Sequence, residues 1–179
     1  MKLDIGDIVI REFEYRDMEV LFQIVNEENI VRFMKDWSEH KDHGESFRPF
    51  IEWVQVQYKQ ESIAENKRYA VVLKDTDELI GMVGMGLEDT LNEVEMAYFM
   101  SEKHQRKGYT VKAVKALAEY CFQHSEIPYL ILTIDSANTA SCRLADKCGF
   151  ELFEKRIPVG HRQPNMESDS YYYYRKYRK

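Results

Sequence analysis

Short segments of the chain alternate apolar and polar residues, which is the pattern of half-buried strands. In residues 93–100 one face is apolar, whereas the other carries the two acids Glu93 and Glu95. Residues 129–135, with the sequence YLILTID, are almost entirely apolar and indicate a strand that is buried on both faces. Together with similar runs, these segments predict seven strands, at residues 8–13, 69–73, 79–87, 93–100, 129–135, 150–156 and 171–176.

Helical spacing of apolar residues predicts four helices between these strands: one that is capped by Asp17, and three more at residues 47–58, 108–124 and 141–147. The polar stretch 35–46 between the first two helices is expected to be a loop that borders a substrate pocket. The predicted order is β-α-α-β-β-β-α-β-α-β-β, without a repeat or a linker. It indicates one α/β (α+β) domain over residues 1–179.

The composition is that of a folded domain, since 44% of the 179 residues are hydrophobic and 31% are charged. A net charge of −6 argues against nucleic acid as a partner, because phosphate contacts need clustered Lys and Arg. The basic tail YYYYRKYRK is expected to be a final strand with a solvated end. The sequence contains no long apolar run and no secretory signal pattern, so we expect no membrane partner and a cytoplasmic location.

The cysteines and histidines predict neither a disulfide framework nor a metal site. Cys121, Cys142 and Cys148 form no C-x-x-C pair, and we expect them to be reduced and structural. His40 and His43 lie close together in a charged loop, but no third ligand is near them in the sequence. We therefore expect no bound metal.

A basic turn separates the predicted strand 93–100 from the longest predicted helix, and it consists of Gln105, Arg106, Lys107, Gly108, Tyr109 and Thr110. The N-terminus of a helix binds phosphate, because its first N–H groups are free and its dipole is positive there. Gly108 lets the main chain approach an anion, and Lys103 and Lys112 add charge. A basic loop that merely begins a helix explains the same residues. The glycines inside the strand 79–87 instead indicate close packing: Gly81, Gly84 and Gly86.

A second motif runs from Asn138 to Phe150. Asn138 is a preferred N-cap, Ser141 follows at the third helical position, and Gly149 suits the left-handed residue that ends many helices. Local capping by itself therefore explains each of these residues without a function.

The joint arrangement of strands and motifs over 94–150 resembles the GNAT superfamily of acetyltransferases. The cofactor motif of that superfamily is Gln/Arg-x-x-Gly-x-Gly/Ala, and its later helix begins Asn-x-x-Ala/Ser and is followed by Gly-Phe. The segments VEMAYFMSEKHQRKGYT, NTASCRLADKCGF and IREFEYRDMEVLFQIVNEENIVRFM are most similar to the RimJ/RimL-type subgroup, which acetylates protein N-termini. Two residues depart from the pattern. Thr110 replaces a small residue, and Ala145 stands where many members have a tyrosine that protonates the leaving thiolate.

The resemblance implies a mixed, mostly antiparallel sheet of about seven strands with helices on both faces. It also implies that the strands 93–100 and 129–135 splay near Met100, and that acetyl-CoA is the cofactor. The pantetheine arm would pair with the backbone at the splay while the pyrophosphate rests on the basic turn. The implied cofactor-binding residues are Tyr98, Phe99, Met100, Gln105, Arg106, Lys107, Gly108, Tyr109, Thr110, Asn138 and Ser141.

Two residues are candidates for catalysis. Acyl transfer needs a neutral amine, and Glu95 on the reacting strand is the candidate base. The alternative is that Glu95 and Glu93 are the solvent side of a half-buried strand. Ser141 is the candidate donor to the leaving thiolate, and helix capping alone is its alternative.

The resemblance implies an N-acetyltransferase that moves the acetyl group from acetyl-CoA to a primary amine. A protein N-terminus is the first candidate acceptor, and a polyamine or aminoglycoside-type amine is the second. A non-catalytic acyl-CoA-binding module and an unrelated α/β domain with coincidental motifs are the alternatives. Either a monomer or a homodimer is expected.

Overall fold

The computed structural model describes residues 1–39, 41–62, 66–88, 90–157 and 167–179. The strands found there are β1 Lys2–Ile5, β2 Ile8–Arg11, β3 Lys67–Leu73, β4 Leu79–Glu88, β5 Glu93–Met100, β6 Tyr129–Asp135, β7 Glu151–Arg156 and β8 Tyr171–Tyr177. The α-helices in the same ranges are α1 Met18–Val25, α2 Glu28–Met34, α3 Arg48–Gln57, α4 Tyr109–His124 and α5 Thr139–Cys148. The eight strands form one sheet in the order β1-β2-β3-β4-β5-β6-β8-β7.

The sheet has one strand more than the sequence predicts. Residues Lys2–Ile5 form β1 and pair antiparallel with β2, from Lys2 opposite Arg11 to Ile5 opposite Ile8. The turn between them contains Gly6 with φ of 79°, a conformation that glycine adopts readily. A four-residue strand whose side chains are half-buried or exposed carries too little apolar alternation for sequence to detect.

The first helical region also differs from its prediction. It contains two short helices, α1 and α2, and part of the expected loop 35–46 forms short 3-10 turns at Lys35–Trp37 and Gly44–Phe47. Asp17 makes no side-chain cap on α1, because its carboxylate is held by Arg11 at 2.7 and 2.8 Å. Arg11 lies six residues before Asp17 on β2. Capping rules consider only the residues next to the helix start, so they did not predict this ion pair.

The helices cover both faces of the sheet, as expected. On one face, α4 and α5 pack on the strands through a core that includes Leu117, Leu130 and Ala145. On the other face, α1, α2 and α3 contribute to a second core, which includes Phe99 on β5. Side chains of a strand alternate between these two cores. Whether a residue has an odd or an even number, its parity, therefore shows which core its side chain faces.

The glycines of β4 have the close packing that the sequence predicts. Gly84 lies opposite Arg68 of β3, and a Cβ atom on it would stand 2.5 Å from the carbonyl oxygen of Lys67 and 2.6 Å from Cδ of Arg68. The side chain of Arg68 therefore lies across the strand at this point. A larger residue at position 84 would displace it.

Candidate active site at the parting of two strands

The neighbouring strands β5 and β6 run parallel but share a single bridge, Glu95 opposite Ile131. Each is fully paired on its other side, since β5 pairs with β4 as far as Met100 and β6 pairs with β8 as far as Asp135. Beyond the bridge the two strands therefore diverge. The splay expected near Met100 is present, and it begins at Glu95.

The backbone N–H and C=O groups of successive residues in a strand point alternately to its two neighbouring strands. The hydrogen bonds from β5 to β4 therefore show which residues of β5 direct their backbone groups towards β6. The N–H of Ser101 donates to the carbonyl of Ile80 on β4 at 2.9 Å. By alternation, the backbone of Phe99 also faces β4, whereas the backbone groups of Tyr98 and Met100 point into the gap. Of the three residues on β5 that the sequence predicts at the cofactor, two thus direct main-chain groups into the opening. The ring of Phe99 is buried in the second core.

The basic turn lies at the end of this gap. Its residue Gln105 donates a side-chain N–H to the carbonyl of Met100 at 3.1 Å, which ties the turn to β5. Arg106 and Gly108 adopt left-handed conformations with φ of 61° and 81°. No atom outside the adjoining residues lies within 4 Å of the place where a Cβ of Gly108 would be. The turn is therefore open in front of the helix.

The first N–H groups of α4 have no side-chain cap. The first backbone bond of the helix runs from Lys112 N to Gly108 O at 3.1 Å, so the N–H groups of the preceding helical residues, which include Tyr109 and Thr110, have no partner within the helix. An α-helix of 16 residues that begins with uncapped N–H groups and an open glycine is suited to bind a phosphate group.

The four cations around the turn are not equivalent. Lys103 is paired with Glu78 at 3.0 Å, and Lys112 is paired with Asp7 at 2.5 Å. Arg106 and Lys107 are exposed and make no ion pair with any residue that the structure describes. From the sequence, all four side chains were expected to add positive charge for a ligand. Two of them, Lys103 and Lys112, instead form ion pairs with carboxylates that are distant along the chain.

The helix α5 borders the same region from the face of α4. Asn138 accepts a hydrogen bond from the N–H of Ser141 at 3.1 Å, so the predicted N-cap is confirmed. Gly149 ends the helix with φ of 78°, as predicted. Ala145 is buried. Its methyl group has no donor, so the position that commonly carries a tyrosine offers nothing to a leaving group.

Glu95 lies where the strands begin to part, and its side chain reaches across to β6. Its Oε1 accepts from the backbone N–H of Thr133 at 2.9 Å and also from the Thr133 hydroxyl. Burial raises the pKa of Glu95, although the bonds from Thr133 oppose that shift. Its Oε2 has no hydrogen-bond partner in the described parts of the chain. A carboxylate with a raised pKa and a free oxygen fits a general base.

Glu93 is engaged in a different way. Its carboxylate accepts hydrogen bonds from the hydroxyls of Tyr129 at 2.6 Å and Tyr173 at 2.7 Å, and Arg175 lies 3.3 Å away. Burial alone would raise the pKa of Glu93, but these partners outweigh burial and lower it. Glu93 is thus a structural link between β5, β6 and β8.

Two residues of this region were missed at the sequence level. Thr133 holds Glu95, and its signal was a polar residue within an otherwise apolar buried strand. Arg68 is close enough to Glu95 to influence the pKa of that carboxyl. No local pattern marks Arg68, because β3 and β5 are separated in sequence by β4.

The cysteines, the metal-ligating side chains and the helix lengths can also be compared with the expectations from the sequence. Cys121, Cys142 and Cys148 are all free thiols. No group of three or more metal-ligating side chains occurs among the described residues, and His40 lies outside them. Nor does any helix in the described ranges have the length and apolar character needed to cross a membrane.

The sequence pattern of the Acetyltransferase (GNAT) domain matches residues 7–151, so the chain belongs to this family. The uncharacterized N-acetyltransferase YnaD of Bacillus subtilis (strain 168) is 27% identical over 169 residues, which cover 93% of this chain and 91% of that protein. Two solved structures share the fold. RimL, a ribosomal alpha-N-protein acetyltransferase in complex with coenzyme A, has a TM-score of 0.81 and 15% identity, and the match covers 99% of this chain and 98% of that chain. The microcin C7 self immunity acetyltransferase MccE, in complex with acetyl-CoA and AMP, has a TM-score of 0.79 and 18% identity over 96% of this chain and 93% of that chain.

The protein is therefore an acyl-CoA-dependent N-acetyltransferase of the GNAT family. The family match excludes the unrelated α/β domain, and it favours an enzyme over a non-catalytic binding module.

Proposed function

We propose that the chain is a single catalytic domain that acetylates the N-terminal amine of a protein at the gap between β5 and β6. The observation that carries the proposal is the single bridge between these strands, with Glu95 at the point where they part. An opening in the middle of a sheet exposes main-chain groups on an otherwise closed surface, and an extended molecule can pair with them as an added strand.

The basic turn would hold the pyrophosphate of acetyl-CoA. Its support is the uncapped start of α4, the open left-handed Gly108 and the exposed, unpaired Arg106 and Lys107. Gln105 fixes the turn to the end of β5, so the phosphates and the gap keep a constant separation. Asn138 at the start of α5 would contact the pantetheine arm from the other side of the gap.

Acetyl-CoA supplies an activated acetyl thioester. The N–H groups of Tyr98 and Met100 would hold the carbonyl oxygen of that thioester and stabilise the negative charge that develops on it. Ser141 on α5 would contribute a hydroxyl near the sulfur. Thr110 would face the pyrophosphate with a hydroxyl that a smaller residue does not have.

Glu95 would accept the proton of the attacking amine, directly or through water. Its side chain lies on the face of α1 to α3, because Glu95 has the same parity as Phe99 in the second core. The phosphate turn begins α4 on the opposite face. The amine would therefore approach from one face of the sheet, and the cofactor from the other.

A protein N-terminus is the favoured acceptor for two reasons. Its reference pKa of about 7.7–8.0 is lower than the value of about 10.4 for a lysine side chain, so a carboxylate base removes its proton more easily. In addition, the segments that carry the GNAT motifs are most similar to the RimJ/RimL-type subgroup, and RimL shares this fold. The net charge of −6 suits a cationic acceptor.

An acceptor panel tests this proposal. The release of free CoA would be measured with acetyl-CoA and four classes of amine: peptides with free N-termini, the same peptides with blocked N-termini and a free lysine, polyamines, and aminoglycosides. We expect turnover with free N-termini and loss of turnover on blocking. Turnover with small amines alone would contradict the N-terminal acceptor, and failure of titration calorimetry to detect CoA binding would contradict the site.

A further inference from the structure

The hydroxyl of Tyr98 is a buried polar group next to the gap, and the proposed function leaves its role unexplained. Tyr98 has the opposite parity to Glu95 on β5, so its side chain points to the face of α4 and α5. It packs against the core that contains Ala145 and Cys148. The ring thus lies beneath α5 and next to the gap that its own backbone faces.

The Tyr98 hydroxyl is buried and has no hydrogen-bond partner among the described residues. Ser141 is close enough to influence the pKa of Tyr98, but the two side chains do not form a hydrogen bond of acceptable geometry. Burial is the main cause that raises the pKa of Tyr98, and Ser141 acts in the opposite direction. A buried hydroxyl without a partner is uncommon in folded proteins and calls for an explanation.

The neighbourhood of this hydroxyl is where the sulfur of acetyl-CoA would lie if the proposed function is correct. The arm would enter from the face of α4, on which the phosphate turn lies, and Tyr98 is on that face. Ala145 offers no donor there. The base, Glu95, is on the opposite face, so the two side chains flank the gap from the two sides of the sheet.

We propose that Tyr98 donates the hydrogen bond that stabilises the departing sulfur. In this step the amine nitrogen bonds to the acetyl carbon while the C–S bond breaks, and the electron pair of that bond goes to sulfur. The Tyr98 hydroxyl hydrogen-bonds to the resulting thiolate. Starting from the neutral amine, the nitrogen loses one proton to Glu95, which passes it to solvent. The thiolate takes one proton from solvent while the Tyr98 hydroxyl keeps its own, so the two proton transfers balance.

The test compares Tyr98→Phe with a matched control, Tyr120→Phe. Tyr120 lies in α4, eleven residues beyond Tyr109 and therefore about 16 Å along the helix from the phosphate turn. Three quantities are measured for each variant: kcat for acetyl transfer, the Kd of CoA, and the pKa of the bound CoA thiol from its ultraviolet absorbance. The same measurements on Ser141→Ala show whether the serine is the donor instead.

We expect Tyr98→Phe to lower kcat by about a hundredfold, the lower end of the range for acid catalysis, because a thiolate is a good leaving group. The pKa of the bound CoA thiol should rise by about one pH unit, since the thiolate loses a charge-assisted hydrogen bond. The Kd of CoA should stay within about twofold, because the phosphate and backbone contacts remain. Tyr120→Phe should change none of the three.

The proposal also predicts that Tyr98→Phe does not lower the Tm of the free protein, because the substitution removes an unpaired buried hydroxyl and keeps the ring. A lower Tm would show that the hydroxyl is bonded in the free protein and would contradict the premise. An unchanged kcat and thiol pKa in Tyr98→Phe, with CoA bound normally, would overturn the role of Tyr98 alone. If only Ser141→Ala lowers kcat and raises the pKa of the bound CoA thiol, the donor is Ser141. Absence of CoA binding to the unmodified protein would instead overturn the proposed function.

Discussion

The two ends of the β5–β6 pair differ although they belong to the same strands. At the closed end, Glu93 links three strands through Tyr129, Tyr173 and Arg175. At the open end, Glu95 uses one carboxylate oxygen for Thr133, and the strands diverge beyond it. Both acids lie on the same face of β5, two residues apart. Partners from distant strands therefore lower the pKa of one acid, whereas burial raises that of the other.

The difference shows how one strand serves both stability and chemistry. Satisfied hydrogen bonds and an ion pair keep the closed end in register, so the open end can remain unpaired without loss of the fold. The following substitutions test this division.

The largest effect is expected from Glu95→Gln. Loss of the base should lower kcat at neutral pH by at least about a hundredfold. The amide oxygen can still accept from Thr133, so the Kd of CoA and the Tm should change little.

The pH profile gives a second readout. Because burial raises the pKa of Glu95 above its usual value of about 4.3, the wild-type rate should fall on acidification at a higher pH than for an exposed glutamate. Glu95→Gln should lack that decrease, and a variant with normal kcat would show that Glu95 is not the base.

The reciprocal substitution, Glu93→Gln, should mainly affect stability. It removes the charge that Arg175 pairs with and weakens the bonds from two tyrosine hydroxyls, so the free energy of unfolding should fall by about 2 kcal/mol. The pKa of Glu93 is lowered in the folded protein, so this stabilisation is present at neutral pH and is lost as pH falls below about 4. Denaturant titrations at pH 7 and pH 3.5 should therefore show a smaller difference at the lower pH. A large loss of kcat without a loss of stability would contradict the division.

Gly108→Ala tests the open turn, and Gly6→Ala is its matched control. Both glycines have φ near 80°, at 81° and 79°, and neither has another residue near its would-be Cβ. Each alanine should therefore cost about 1 kcal/mol of stability from backbone strain. Only Gly108→Ala should also raise the Kd of CoA, by about tenfold, because its methyl group enters the space in front of α4. An equal Kd in the two variants would argue against phosphate binding at this turn.

The smallest effect is expected at Asn138, where capping and cofactor binding have to be separated. Asn138→Ser preserves a good cap, so the Tm should stay within about 1 °C, whereas Asn138→Ala should lower stability by about 1 kcal/mol. If Asn138 also contacts the pantetheine arm, both variants should weaken CoA binding by about threefold to tenfold. Weaker binding in the alanine variant alone would show that Asn138 acts only through the helix.

Much of the fold was predictable from local sequence. The predicted strands at 93–100 and 129–135 match Glu93–Met100 and Tyr129–Asp135, because their apolar patterns are long and regular. The caps at Asn138 and Gly149 were predictable because capping depends on a few adjacent residues. The strand β1 was missed because its side chains are only partly buried, so its pattern is weak.

The candidate site was predictable in its positions but not in its interactions. The motif positions located the turn at Gly108 and the start of α5. They did not show that Lys103 and Lys112 are already paired, or that Tyr98 places an unbonded hydroxyl beneath α5. Each of these facts depends on residues that are far apart in sequence, such as Asp7 and Lys112.

By itself the sequence determined the order of strands and helices from β3 onwards, the family motifs and the alternation that assigns Glu95 and Tyr98 to opposite faces of β5. Only the tertiary structure decided which acid is structural and which is free to act. The reason is that pKa, burial and hydrogen bonding depend on neighbours in space, and β6 and β8 approach β5 from more than thirty residues along the chain.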